Sequence, residues 1–151
     1  MRLRSGSAVT AVALIMVLAG CSVSGGPQRK AEQQARNDAE ESILKDELAK
    51  TPGMVRVSVS YSNYITSPGA AQVSLIVTHG TDFEHAADLA VGAIWRSHFD
   101  PLHFIRVDVV DDQDRTEGIE RGYSIFDDLA ELEAKYGPRP VGAVTRERGR
   151  G

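Results

Sequence analysis

Polar and apolar positions alternate along this chain in blocks of different period. Val55, Val57, Val59 and Tyr61 alternate with Arg56, Ser58, Ser60 and Ser62, the period-two pattern of a strand with one face buried. Gln72 to Thr78 repeats it, with Val73, Leu75 and Val77 on one face and only Ile76 interrupting the polar face. The turn-rich stretch Thr66, Ser67, Pro68 and Gly69 lies between the two, which predicts an antiparallel hairpin. The period then lengthens. Phe83, Ala86, Ala87, Ala90, Val91 and Ile94 recur at helical spacing, widened by Leu89 and Trp95. Thr81 and Glu84 form a capping-box pattern behind Gly80. The helix is expected to run to about His98, because Asp100 precedes Pro101 and is pushed out of helical geometry.

Leu102 to Val110 predicts a third strand, with Ile105, Val107 and Val109 on one face. A loop through Gly118 and Gly122 is expected to lead into a last helix, Ser124 to Tyr136, stopped by Gly137 and Pro138. Upstream, Gln28 to Lys50 holds no proline or glycine and is dense in Ala, Gln, Glu, Lys and Arg, which favours helix. Its first half is polar all round. From Ala39 onward Ile43, Leu44 and Leu48 build an apolar stripe. The order α-β-β-α-β-α predicts an α+β domain over residues 40–138, a small three-stranded sheet with helices mainly on one face. Strand order 1-2-3 and order 2-1-3 both fit. A third strand parallel to the second requires a right-handed crossover through the middle helix.

The start of the chain has a different character. Arg2 and Arg4 precede an apolar run from Ala11 to Leu18, which ends on Ala19 and Gly20. That is the charge, apolar core and small-residue exit of a secretion signal. The uncharged stretch from Ser5 to Gly20 is shorter than the ~20 mostly apolar residues of a membrane-spanning helix. Leu18, Ala19, Gly20 and Cys21 together resemble the lipobox of bacterial lipoproteins. That resemblance implies a diacylglycerol on the Cys21 thiol, cleavage of residues 1–20 by a lipoprotein signal peptidase, and a membrane-held mature chain. Two acyl chains suffice for stable anchoring, where one would be marginal. Residues 21–39 are then the lipidated cysteine, a linker and a polar helical stalk.

Cleavage leaves 131 of the 151 residues and takes the formal net charge from -4 to -6, because Arg2 and Arg4 depart. An acidic chain with no arginine-rich groove is a poor nucleic-acid binder. Cys21 is the single cysteine, so disulfides, zinc thiolates and thiol catalysis are excluded once it carries lipid. Residues 139–151 are too poor in periodic apolar positions to fold alone. There Arg139, Arg146, Arg148 and Arg150 oppose only Glu147, a disordered basic tail that is either merely solvated or touches anionic lipid or wall polymer.

Candidate chemistry is sparse. His79, Asp82 and His85 carry the residue types of a zinc set, but their spacing is that of a turn and a first helical turn, and no metal or cofactor is expected. Asp108, Asp111, Asp112, Asp114 and Glu117 share only composition with a calcium loop. Neither a G-x-S-x-G turn nor a phosphate-cradling glycine loop occurs, so no catalytic residue is assigned. The stretch "IWRSHFDPL" mixes Trp95, Arg96 and His98 at a helix end, a composition that interface hot spots favour. Trp95 has a second reading as a wedge of the helix end against the sheet. Trp95, Arg96, His98, Tyr136 and Arg139 form the candidate partner surface.

From Glu40 to Val110 the element order and apolar spacing, best seen in "VSLIVTHGTDFEHAADLA", are similar to the BON domain. That resemblance implies a small envelope module binding membranes or partners. The combined expectation is a lipid-anchored envelope protein, not an enzyme, that acts as an accessory or adaptor binding module. Arginine- and alanine-rich usage suggests a high-GC bacterium, in which the domain would face outward from the plasma membrane. The expected partners are the membrane, through Cys21, and an envelope protein or wall polymer. Capture of a small ligand or wall component, and a hydrolase with a dispersed site, are the alternatives.

Overall fold

Strand alternation predicts two strands joined by a turn, and they form. In the computed structural model, which describes residues 25–140, β1 (Met54–Tyr64) and β2 (Ser67–Val77) pair antiparallel, with Val57 opposite Leu75 and Tyr61 opposite Ala71. The lipobox, Cys21 and the tail residues 141–151 lie outside the described residues. The middle helix, α2 (Phe83–Arg96), carries the chain back so that β3 (Phe104–Asp111) runs parallel to β2, Val73 beside Val107.

The sheet then continues where a loop was expected. Gly118–Ser124 is a fourth strand, β4, antiparallel to β3, and the sheet order is β1-β2-β3-β4. The α+β class holds, while the three-strand count, the order 2-1-3 and the element order α-β-β-α-β-α are corrected. β4 escapes a periodicity reading because it is an edge strand. Only Ile119 and Tyr123 are apolar on its inner face, where Arg121 sits between them opposite Val107. The last helix, α3, accordingly starts at Leu129 and not at Ser124. The Asp128 carboxylate accepts from the Ser124 backbone N–H at 2.8 Å and closes the turn before it.

Register places Val57, Leu75, Val109 and Ile119 in one row and Tyr61, Ala71, Ile105 and Tyr123 in another. These rows face the helices and bury Val57, Tyr61, Val73, Leu75, Ile105, Val107 and Val109 with Ala90, Val91, Ile94 and Trp95 of α2. The opposite face carries Ser58, Ser60, Gln72, Arg106 and Glu120 and stays open. Burial on one face and polarity on the other is the arrangement an antiparallel edge can present to water.

α1 (Gly25–Leu48) is one continuous helix. Leu44 and Leu48 are buried as the stripe predicts, whereas Ile43 is 59% exposed. Docking also begins earlier than residue 40. The buried Asn37 gives Nδ2–H to the Asp100 carbonyl at 3.1 Å and accepts the Asp100 N–H at 3.2 Å. Gln33 adds a bond to the same carbonyl at 2.9 Å. Two amide side chains thus satisfy backbone groups of the α2–β3 connection, which no apolar pattern encodes.

The N-cap of α2 is Asp82, whose Oδ1 accepts the His85 N–H at 3.1 Å. It replaces the expected Thr81, which packs beside Gly53. Asp82→Ala is therefore expected to cost about 1 kcal/mol in denaturant unfolding, and Thr81→Ala less. The reverse ranking would return the cap to Thr81.

Candidate functional site

The expected partner surface does not exist as one surface. Trp95 is fully buried, and its indole N–H donates to the Gly137 carbonyl at 2.8 Å. Its reading as a partner contact is corrected, since α2 turns it inward against the sheet and α3. Tyr136 is half-buried beside α2. Its hydroxyl donates to Asp88 Oδ1 at 2.6 Å.

Arg139 is tied to the domain instead of belonging to a free tail. One guanidinium nitrogen, Nη2, donates to the Phe99 carbonyl. Its Nε and Nη1 are buried without a hydrogen-bond partner among the described residues. Burial pulls its pKa down to about 10, against the pull of Asp100 and Tyr61. Tyr61 in turn stacks on Phe99 at 4.9 Å and donates its hydroxyl to the Pro101 carbonyl at 2.6 Å. Its pKa is pushed up to about 12 by burial and then by Asp100.

Arg96 and His98 remain exposed, and they share a groove of about 280 Å³ with Glu40, Ile43 and Glu47 of α1. His98 is held there through its backbone N–H, which Glu40 Oε1 accepts at 2.8 Å, and its ring Nδ1 lies 3.5 Å from the same oxygen. An exposed isoleucine rimmed by both signs of charge suits a protein contact better than a small ligand. Deep ligand sites are enclosed, whereas this groove is half open to solvent along its length.

A second cleft, of about 270 Å³, opens between α2, β4 and α3 and was missed in the sequence. Glu84, His85 and Asp88 line it from α2, Arg121 and Tyr123 from β4, and Lys135 from α3. Arg121 pairs with Glu84, and Lys135 with Asp88. Burial pushes the Asp88 carboxyl up, but the hydrogen bonds from Lys135 and Tyr136 outweigh it and hold the group below its ordinary range. Lys135 is correspondingly held above its own, chiefly by the Asp88 bond. Both are thus locked in their charged forms at neutral pH, which is the opposite of the near-neutral pKa that general acid–base work needs. No spacing rule joins an α2 aspartate to a lysine in α3, so the pair was illegible before folding.

The acidic loop is organised around Asp111. Its carboxylate, 1% exposed, accepts the Gln113 and Asp114 N–H groups at 2.7 and 3.0 Å, with His79 Nδ1 at 3.0 Å from its other oxygen. Burial raises its pKa, but the Asp114 and Gln113 donors with His79 outweigh it and hold the group below the usual carboxylate range. His79 and His85 do not converge. Among the described residues no group of three or more His, Cys, Asp or Glu side chains is placed to hold a metal ion.

Comparison with family models, with curated proteins and with solved structures finds no match. Among the described residues no helix is long and apolar enough to cross a membrane.

Proposed function

We propose that the protein is a lipid-anchored envelope protein that works as a non-catalytic accessory or adaptor module. Diacylglycerol on Cys21 holds it on the outer side of the plasma membrane, and the α1–α2 groove with Ile43, Arg96 and His98 meets a protein partner. The observation that carries the reading is the order of the N-terminal residues. Leu18, Ala19, Gly20 and Cys21 follow the apolar run, and the helix that docks on the domain begins at Gly25. The domain is thereby joined to its anchor by a short tether.

Two further features support it. The acids and bases in the α2–β4–α3 cleft neutralise one another in structural pairs. The resemblance of Glu40 to Val110 to the BON domain points the same way, to binding. The test is fractionation of cells expressing the native chain and Cys21→Ala, with labelled fatty acid as a second readout. The native chain is expected in the membrane fraction carrying label. Cys21→Ala is expected to lose the label altogether and to stay unprocessed or leave the membrane. A Cys21→Ala chain that is cleaved normally and remains bound would end the lipidation reading. Cross-linking in intact cells from Arg96 and His98 positions then tests the adaptor role, and links to one defined membrane protein are expected.

A further inference from the structure

Six large apolar side chains are exposed among the described residues, and four of them gather at one end of the sheet. Tyr64, 72% exposed, ends β1, and the fully exposed Ile65 opens the β1–β2 turn. Phe104 opens β3, and Phe126 follows β4 and leans on His103 at 5.0 Å. The ladder brings them together, because Tyr64 pairs with Ser67, Ala70 with Phe104, and Phe104 with Ser124. Exposed apolar residues scattered singly are ordinary, but a group at one pole of a small domain marks a contact surface.

The same pole is where α1 begins. The turn after Leu48 sends β1 back along the helix, and Glu41 accepts the Tyr61 N–H at 2.7 Å, which aligns the two. From that bond the strand continues to Ile65 for roughly 13 Å at about 3.3 Å per residue. The helix continues to Gly25 for roughly 24 Å at about 1.5 Å per residue. The helix start therefore leads the turn by roughly 11 Å, and the four residues from Cys21 to Ser24 reach at most about 14 Å. A lipid on Cys21 is thus attached close enough for the apolar pole to reach the bilayer surface.

Charge differs between the two poles. Arg29, Lys30 and Arg36 lie in the exposed first turns of α1, with Glu32 the acid among them. Asp82, Glu84, Asp111, Asp112, Asp114 and Glu117 lie at the opposite pole, where β2 and β3 end and α2 starts. The apolar pole also carries acid: Asp100, Asp127 and Asp128 lie there with Asp38 of α1, and Asp128 and Asp100 accept only from the neutral donors of Ser124 and Gln33, which offset none of their charge. An anionic leaflet repels the second end more strongly than the first, where Arg29, Lys30 and Arg36 offset much of the carboxylate charge.

We infer that the pole formed by Tyr64, Ile65, Phe104 and Phe126 rests on the lipid bilayer, so that the acidic end of the domain points outward. This rests on the lipid anchor proposed above, which supplies proximity, and adds orientation. The apolar side chains enter the interface while the serine-rich open face of the sheet stays wet, as in other interfacial anchors.

The test uses the full acylated chain in vesicles of equal parts phosphatidylcholine and phosphatidylglycerol. Ile65→Cys and, separately, Asp114→Cys each carry an environment-sensitive dye, with acylated Cys21 unable to react. The dye at position 65 is expected to shift to the blue and to be quenched severalfold more by brominated lipid than the dye at 114. Phe126→Asp in the Ile65→Cys chain is expected to reduce that quenching at least twofold. Equal, water-like signals from both positions on protein that floats with the vesicles would overturn the orientation and leave the anchor standing. A blue shift at 65 that ignores brominated lipid and grows with protein concentration would replace the bilayer with a second copy of the chain. Protein that fails to float, with Cys21 itself taking up dye, would remove the anchor and the orientation together.

Discussion

Trp95→Ala is expected to cost about 3–5 kcal/mol of unfolding free energy, the range for truncating a buried aromatic side chain. Trp95 is the only tryptophan and is completely buried. It sits at the C-terminal end of α2, where it packs with Ile94 and Phe99 in the core and binds the Gly137 carbonyl that ends α3. The substitution empties the junction of α2 and α3 and leaves that carbonyl unpaired. A domain of this size has only ~5–15 kcal/mol to lose, so the substitution removes a large share of the total. Trp95→Phe separates the two effects, since it keeps most of the apolar volume and loses the hydrogen bond, and it is expected to cost roughly 1–3 kcal/mol. Urea unfolding followed by far-UV circular dichroism reads both variants. An alanine variant as stable as the native chain would mean that α3 and Gly137 do not close over the indole.

The same residue shows how much of the domain was legible beforehand. Helical spacing places Trp95 on the edge of an apolar face, which is enough to predict a wedge but not to reject a contact. What decides is Gly137, far along the chain, whose carbonyl the indole needs. Strands β1, β2 and β3 announce themselves because the sheet buries one face and wets the other, so chemistry alternates with geometry. β4 does not, because an edge strand needs little apolar area and pairs through its backbone, which Gly118, Glu120 and Gly122 supply as well as valine would. The α2 cap was ambiguous by one residue. Both Thr81 and Asp82 are capping types, and the Asp82 bond to the His85 N–H, with Thr81 packed beside Gly53, separates them.

The candidate sites were less legible than the fold for a related reason. Asp88, Lys135 and Tyr136 meet because α3 crosses α2, and pairwise charge contacts across elements leave no periodic trace. The tip residues left only a weak one. Tyr64 and Ile65 are large apolar side chains beside a turn, where exposure is the default, and Phe126 stands among Ser124, Asp127 and Asp128. Singly, apolar residues in a polar context are ordinary, and only the ladder that gathers Tyr64, Ile65, Phe104 and Phe126 at one end makes them a group.

Gly69→Ala is the second change with a large expected effect, about 2–4 kcal/mol from two additive causes. Gly69 has φ +55, in the left-handed region that costs other L-residues ~1–2 kcal/mol. A Cβ there would also stand 2.7 Å from the Pro101 carbonyl oxygen and 3.2 Å from the His103 nitrogen. Neither neighbour is free to retreat. His103 N–H donates to the Gly69 carbonyl at 2.7 Å, immediately before the parallel pairing of Ala70 with Phe104. Pro101 is held by the Tyr61 hydroxyl. Relief of the clash therefore requires β2 and β3 to part at the end that carries Tyr64, Ile65 and Phe104. Gly80→Ala is the matching control, with φ +83 and open space around its Cβ, and it should show the backbone cost alone, about 1 kcal/mol. Thermal and urea unfolding of the pair measure the difference. Equal losses at the two glycines would mean that the β2–β3 junction yields without cost, and that the apolar pole is softer than its hydrogen bonds imply.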